Sequence, residues 1–310
     1  MKGKVCVFGS FNLDITAILE RFPMPGESLV AKSSKISAGG KGANQATAAL
    51  KAGANVHYIG KIGEDDFGYF ARRHLKEVGF NAVTILSSPE RATGNALIYV
   101  AGDNAENMIS VDPGTNMIVT EEEIKKCEPA IKCADVVLVQ LENNLSAINQ
   151  VIDIARKNKA FTILNPAPFQ AIDDELLTKV DLLTPNETET YLLTGQKITD
   201  KASVERAADS LHQKGAKQII ITLGAQGSLL SDSLSKTWIP CFPANPIDTT
   251  GAGDAFNGAL AAQIANGKNI KQAALFGSAF AAVSVEYIGA ACMTTYEQAV
   301  ERMNMLNDIQ

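Results

Sequence analysis

A chain of 310 residues, 46% hydrophobic and 20% charged, can bury one large α/β core and is too apolar to stay disordered. Its net charge of −6 argues against an electrostatic grip on nucleic acid or an anionic membrane, and it has no apolar run of about 18 residues that would span a bilayer. The apolar run near the N-terminus stops at Asn12 and Asp14, too early for a signal peptide. Five scattered cysteines without C-x-x-C spacing fit buried or incidental thiols in a reducing cytoplasm. His57, His74 and His212 stand in unrelated segments, which argues against a triad or a histidine-based metal site.

Val5 to Gly9 reads as the first core strand. Ile15 to Ile18 and Glu27 to Ile36 read as strands around the turn Phe22-Pro23-Met24-Pro25-Gly26. With no helix between them, they form a small β-structure projecting from the main sheet. Gly39-Gly40-Lys41-Gly42 opens a helix to about Lys51. A strand over Asn55 to Lys61, a helix over Asp66 to Val78 and a short strand over Val83 to Leu86 follow. Gly94 to Val100 and Asn107 to Val111 make a hairpin around Gly102-Asp103-Asn104 and join the small β-structure.

Strict alternation then begins. Helices are expected over Thr120 to Glu128, with Thr120 as cap, Ser146 to Lys157, Asp173 to Thr178, Glu187 to Leu193 and Ser203 to Lys214. Strands are expected over Val136 to Leu141, Phe161 to Leu164, Leu182 to Thr184 and Gln218 to Leu223, with a terminal hairpin at Ser228 to Ser231 and Thr237 to Ile239. Three helices close the chain near 252–266, 270–286 and 295–307. Continuous apolar strands alternating with helices predict a three-layer α/β/α fold with a mostly parallel central sheet. The chain reads as one domain over 1–310, with a β-sheet lid made of about 11–37 and 94–112.

The stretch Pro246 to Gly258, PIDTTGAGDAFNG, carries the chemistry. Gly251, Ala252 and Gly253 make a turn with free N–H groups at a helix start, which attracts anions. Asp254 follows at once. A carboxylate beside an anion hole is the minimum equipment for moving a phosphoryl group onto a hydroxyl. Asn12, Asp14, Glu142, Asn165, Asn186, Glu189 and Gly224 follow other strands, where ligands bind in open α/β sheets. Taken singly, each fits a cap or turn residue better than a site residue; together on one rim they suit a polyhydroxylated ligand and a nucleotide. The Gly39–Gly42 run lacks P-loop spacing, and no G-x-G-x-x-G follows the first strand, which disfavours a dinucleotide dehydrogenase.

GSFNLD, PGE, GGKGANQA, NPAP, PNETE and DTTGAGDAFNG, in this order, resemble the ribokinase-like (phosphofructokinase-B type) carbohydrate kinase family over nearly the whole chain. The resemblance implies that Asp254 is the base and that Gly251, Ala252 and Gly253 form the anion hole. It implies sugar contacts from Asn12, Asp14, Gly40, Lys41, Asn44 and Glu142, and ATP contacts from Asn186, Thr222, Gly224 and Gly227. Glu189 would order Mg2+ through water, and Asp248, Thr250, Ser284 and Gly289 would belong to a K+ site. It also implies a cytoplasmic homodimer paired through the lid, with Phe11, Leu97, Ile98, Tyr99, Ile109 and Val111 supplying apolar area. Asn12 beside Asp14 points to D-ribose, phosphorylated on its 5-hydroxyl; deoxyribose, fructose or adenosine, or a non-catalytic sensor on the same fold, are the alternatives. One departure stands out. Members that take ribose usually carry a basic-Gly-Ala-x-x-Ser pattern where this chain has Tyr287-Ile288-Gly289-Ala290-Ala291-Cys292-Met293.

Overall fold

A computed structural model describes residues 2–102, 106–290 and 294–307. In chain order, β1 (Lys4–Phe8) leads into β2 (Asn12–Leu19), β3 (Ser33–Gly39), α1 (Lys41–Lys51), β4 (Asn55–Gly63), α2 (Asp66–Val78), β5 (Ala82–Ser88), β6 (Asn95–Ala101) and β7 (Glu106–Asp112). A short 3-10 turn, Gly114–Ile118, precedes α3 (Glu121–Lys132), β8 (Val136–Gln140), α4 (Leu145–Lys157), β9 (Phe161–Asn165), α5 (Asp174–Lys179) and β10 (Leu182–Leu183). Then come α6 (Glu187–Thr194), α7 (Lys201–Gln213), β11 (Gln218–Thr222), β12 (Ser228–Asp232), β13 (Lys236–Ile239), α8 (Ala252–Ala265), α9 (Ile270–Ser284) and α10 (Tyr296–Asn307). Among the described residues no helix is long and apolar enough to cross a membrane.

Nine strands form the main sheet in the order β13-β12-β11-β10-β9-β8-β1-β4-β5. It is parallel except for the terminal β11–β12–β13 meander. Successive side chains of a strand face opposite ways, and both faces here are covered. Val5, Val7, Val136 and Leu138 join the core beneath α1, α2, α8, α9 and α10. Cys6, Phe8, Val137 and Val139 join the core beneath α3, α4, α5 and α7. The expected three layers are therefore present.

The lid is a separate four-stranded sheet, β3-β2-β6-β7. Its second strand differs from expectation. The strand expected from Glu27 starts only at Ser33 and runs on to Gly39. The Glu27 carboxylate instead accepts from Arg21 at 2.7 Å and from the Met24 N–H at 2.9 Å, folding the Pro23–Pro25 segment into a closed turn. The helix expected to end at Glu128 continues through Pro129 to Lys132, and its Thr120–Glu123 capping box is formed. The hairpin turn at Asp103-Asn104 lies outside the described residues, as do Ala291, Cys292 and Met293.

One member of the apolar set assigned to a lid–lid contact, Phe11, is also corrected. Phe11 is fully buried, against the His74 ring. Pleating splits the remainder. Leu97 and Tyr99 pair with Ile15 and Ala17 on one face. Ile98 pairs with Ile109, and Ala96 pairs with both Val111 and Asp14, on the other.

Candidate active site

Asp254 sits in the first turn of α8, only 6% exposed. Both carboxylate oxygens are held: Asn44 Nδ2 donates to Oδ2 at 3.1 Å and Gln45 Nε2 to Oδ1 at 2.9 Å. Lys41, Asn44 and Gln45 stand at i, i+3 and i+4 on α1, so they share one helix face. That face meets α8 closely: a Cβ on Gly258 would lie 2.3 Å from Gln45 O and 2.5 Å from Ala48 Cβ. Only a glycine lets the two backbones approach so far.

Gln45 is itself fixed. Gln140 Nε2 donates to its Oε1 at 2.6 Å, and its own Nε2 also reaches Asn165 Oδ1 at 2.9 Å. From Asn165 the chain of bonds continues to Thr184 O at 3.0 Å. Thr184 Oγ1 then donates to Asn257 Oδ1 at 2.6 Å, and Asn257 Nδ2 to Gly253 O at 2.8 Å. A buried amide network thus links the Asp254 carboxylate to the glycine turn beside it. Its amides hold one another in place, with Gln140 Oε1 the one atom of the chain of bonds left without a partner among the described residues.

Gly251 caps α8 with φ 77°, a left-handed conformation open to glycine at little cost. The Ala252 N–H turns to Thr249 O at 3.2 Å, so it is less free than expected. Among the described residues, no group accepts from the N–H groups of Gly251 and Gly253. These two stand at the positive end of the helix dipole.

The sugar-side residues expected from the motifs come together at the same rim. Glu142 accepts from the Lys41 N–H at 2.8 Å and, more tightly, from Ser10 Oγ. Burial pushes its carboxyl up, opposed by the Lys41 charge. The Lys41 ammonium feels Asp254 most strongly and is held above its ordinary value despite its burial. Asp14 lies over Gly39, whose added Cβ would be 2.2 Å from Oδ2. Burial, then Glu142 and Asp254, raise the Asp14 carboxyl from 3.8 to about 6. A cationic centre framed by carboxylates is the expected lining for a polyhydroxylated ligand.

Beside the glycine turn a cavity of about 580 Å3 is lined by Thr222, Gly224, Gly227, Phe242, Gly253 and Phe256, among others. It reaches Ala252 and Gly253 of the glycine turn. Asn186 is not part of this lining. Its side chain caps α6 instead, accepting from Glu189 N at 2.8 Å and donating to Glu189 Oε1 at 2.9 Å. Glu189 is buried, which pushes its carboxyl up, and it shares the field of Lys41 and Asp254. A second cavity of about 490 Å3 lies at the opposite, N-terminal ends of β1 and β4, lined by Lys4, Asn55, His57 and Cys133, away from all these groups.

Asp248 braces the loop behind the anion hole. Thr250 N donates to its Oδ1 and Gly289 N to its Oδ2, each at 2.9 Å. Burial opposes its charge, but these bonds outweigh burial and hold its carboxyl below the ordinary range. Ser284 Oγ donates back to Ala281 O at 2.8 Å, so its hydroxyl is engaged within α9. Among the described residues no three His, Cys, Asp or Glu side chains converge as a metal cage.

Sequence reasoning missed Gln45, Ser10, Thr184, Asn257 and Asn116. Gln45 had a signal, its i+4 spacing from Lys41. Asn257 had one too, three residues beyond Asp254. For Thr184 and Asn116 no local signal existed.

A three-layer α/β/α sheet with a lid, a held carboxylate and an anion hole at a helix start defines a kinase of small-molecule alcohols. The chain belongs to the pfkB family of carbohydrate kinases, whose profile matches residues 2–295. It is 39% identical over 290 residues to the ribokinase of Haemophilus influenzae, covering 94% of each chain. It is 34% identical to the deoxyribokinase of Salmonella typhi, over 91% of this chain and 92% of that one. The structure of Arabidopsis thaliana ribokinase complexed with ribose and ATP superposes with a TM-score of 0.89 at 31% identity, over 98% of this chain and 99% of that one.

Proposed function

We propose that this chain transfers the γ-phosphate of ATP to the 5-hydroxyl of D-ribose. The carrying observation is Asp254, held through both oxygens between the sugar-side residues and the anion hole. Asp254 accepts the hydroxyl proton as the sugar oxygen bonds to the γ-phosphorus. The bond from that phosphorus to the β,γ-bridging oxygen breaks, and ADP leaves with the electron pair. Gly251 and Gly253 N–H groups, with Ala252 at the helix start, face the charge on the transferring group. Lys41 adds positive charge at the same rim. Asn12, Asp14, Gly40, Asn44 and Glu142 orient the sugar, while Thr222, Gly224 and Gly227 wall the nucleotide, with Asn186 acting through Glu189. The whole chain, 1–310, acts as one domain with the lid of 11–37 and 94–112 closing over the sugar.

The cation sites fit their residues. Each Glu189 oxygen accepts one bond from Asn186 and keeps a lone pair for a water of hydrated Mg2+, which would neutralise phosphate charge when bound. Carbonyls of Asp248, Thr250, Ser284 and Gly289 suit K+, which would add positive potential behind the glycine turn. Turnover in Tris buffer with K+, with Na+ and with neither tests this; no gain from K+ over cation-free buffer rejects it. Free thiols at Cys6, Cys127, Cys133 and Cys241 suit a reducing cytoplasm.

The test of the reaction is ADP release over D-ribose, 2-deoxy-D-ribose, D-fructose and adenosine. A buried protein group left without its hydroxyl partner costs about 1–3 kcal/mol, so ribose is favoured over deoxyribose by about five- to 150-fold in kcat/KM. Equal efficiency for the two overturns the sugar assignment. Asp254→Asn lowers kcat by roughly two to four orders of magnitude with ribose and ATP still bound. Near-normal turnover in that variant removes Asp254 as base, whereas no ADP release from the parent with any sugar favours the sensor reading.

A further inference from the structure

Asn116 lies in the 3-10 turn after the lid, 1% exposed and outside every motif of the cleft. Its amide orientation is dictated by the backbone. The Phe11 N–H, which can only donate, reaches Asn116 Oδ1 at 3.3 Å. The Phe11 carbonyl, which can only accept, takes Asn116 Nδ2 at 3.1 Å. The same Nδ2 donates to Asn12 Oδ1 at 2.9 Å. Asn12 is therefore oriented in turn: its oxygen faces Asn116, and its N–H2 is the end left over. Among the described residues no group accepts from Asn12 Nδ2. Asn143 Nδ2 pins the Asn116 carbonyl at 3.1 Å, tying the turn to the loop that carries Glu142. Room for the amide pair depends on Gly94, where a Cβ would lie 2.3 Å from Asn12 Oδ1 and 2.4 Å from Asn116 Nδ2.

Asn12 and Asp14 are two apart on β2 and share a face of the strand. The side chains lining the sugar cleft are rich in acceptors: Asp14, Glu142 and Asp254. A sugar hydroxyl has one proton and two lone pairs. One that donates to Asp14 can accept from an N–H2 beside it, but two acceptors would compete for its single proton. We propose that Asn116 is a positioning residue for sugar recognition: it locks Asn12 so that a donor, not a second acceptor, stands next to Asp14. This rests on the sugar-kinase reading above and adds a specificity device to it.

Asn116→Asp keeps an acceptor for the Phe11 N–H but cannot donate to Asn12, so the Asn12 amide turns its oxygen to the cleft. KM for D-ribose is expected to rise about ten- to hundredfold, with KM for ATP within about twofold. In an Asn12→Ala background the same substitution should change the ribose KM by less than about twofold. An equal effect in both backgrounds shows that Asn116 acts on the fold around Phe11 and overturns the inference, as does an unmoved ribose KM. Asn12→Asp changes the polarity without touching Asn116, which covers the case of an Asn116 variant that does not fold. It too should raise the ribose KM about tenfold or more and abolish the rise in Tm that ribose gives the parent; a parental KM rejects the idea. If the parent releases no ADP with any sugar, the kinase reading fails instead, and the ribose-induced Tm shift still reports on the Asn12–Asn116 pair.

Discussion

Asp14, proposed above as a sugar contact, shows what a buried carboxyl costs the fold. Its carboxyl is raised from 3.8 to about 6, by burial first and then by Glu142 and Asp254. The folded chain therefore holds this proton more tightly than the unfolded chain. Its contribution to stability is full below 3.8 and is lost as pH rises through about 6. Asp14→Asn escapes that loss. At pH 8 the variant should melt at a higher temperature than the parent, and the gap should close near pH 4. A variant less stable than the parent at pH 8 would contradict the sign. Its KM for sugar should rise, because an ionised acceptor has been removed. Gln45 works through its neighbour: it holds Asp254 Oδ1 while being held by Gln140. Losing a bond to a carboxylate costs about 1.5–3 kcal/mol, so Gln45→Leu should lower kcat about ten- to hundredfold. KM for ATP should stay within about twofold; a matching loss in both parameters points to general unfolding instead.

At the scale of elements, the α1–α8 contact sets the site. One helix brings Lys41, Asn44 and Gln45, the other brings Gly253 and Asp254, and Gly258 lets them meet. Gly258→Ala forces a methyl against Gln45 O and Ala48, an overpacking expected to cost about 1–3 kcal/mol. Chemical denaturation should show that loss, and kcat should fall with it because the helices carry the proposed base and its holders. Full stability with full activity would mean the helices separate at no cost. The lid has the opposite character. All of β7 is exposed at its edge, and Arg21–Glu27 closes the turn that keeps Glu27 to Ala31 out of the ladder, which Lys32 N joins by donating to Ile18 O at 2.8 Å.

For the whole molecule, the lid is a single sheet with apolar side chains exposed on both faces. Ile36, Leu97, Tyr99 and Met108 are exposed on one face, Ile109 and Val111 on the face that carries Asp14. Exposed apolar area of this kind, ending in an open edge, is usually covered. We propose that a homodimer paired through the lids covers it. Light scattering at micromolar concentration should give twice the chain mass, and a fully active monomer would rule the dimer out.

Much of this was legible in the order of residues alone. The glycine turn, Asp254 and the helix start are contiguous, so their chemistry is local: caps, dihedrals and free N–H groups are decided within a few residues. The alternation of apolar strands with helices likewise declared the covered parallel sheet. Strand limits were less clear, because Glu27 has an ordinary strand-forming context until its carboxylate finds Arg21 and Met24 N. The holders of the site were not legible. Gln45 meets Asp254 across 209 positions, and Asn116 meets Asn12 across 104. Such pairs are set by strand order and helix crossing, which bring distant amides to hydrogen-bond distance. No short stretch of sequence encodes that distance, so the chain itself determined the reacting groups, and only its tertiary packing decided what orients them.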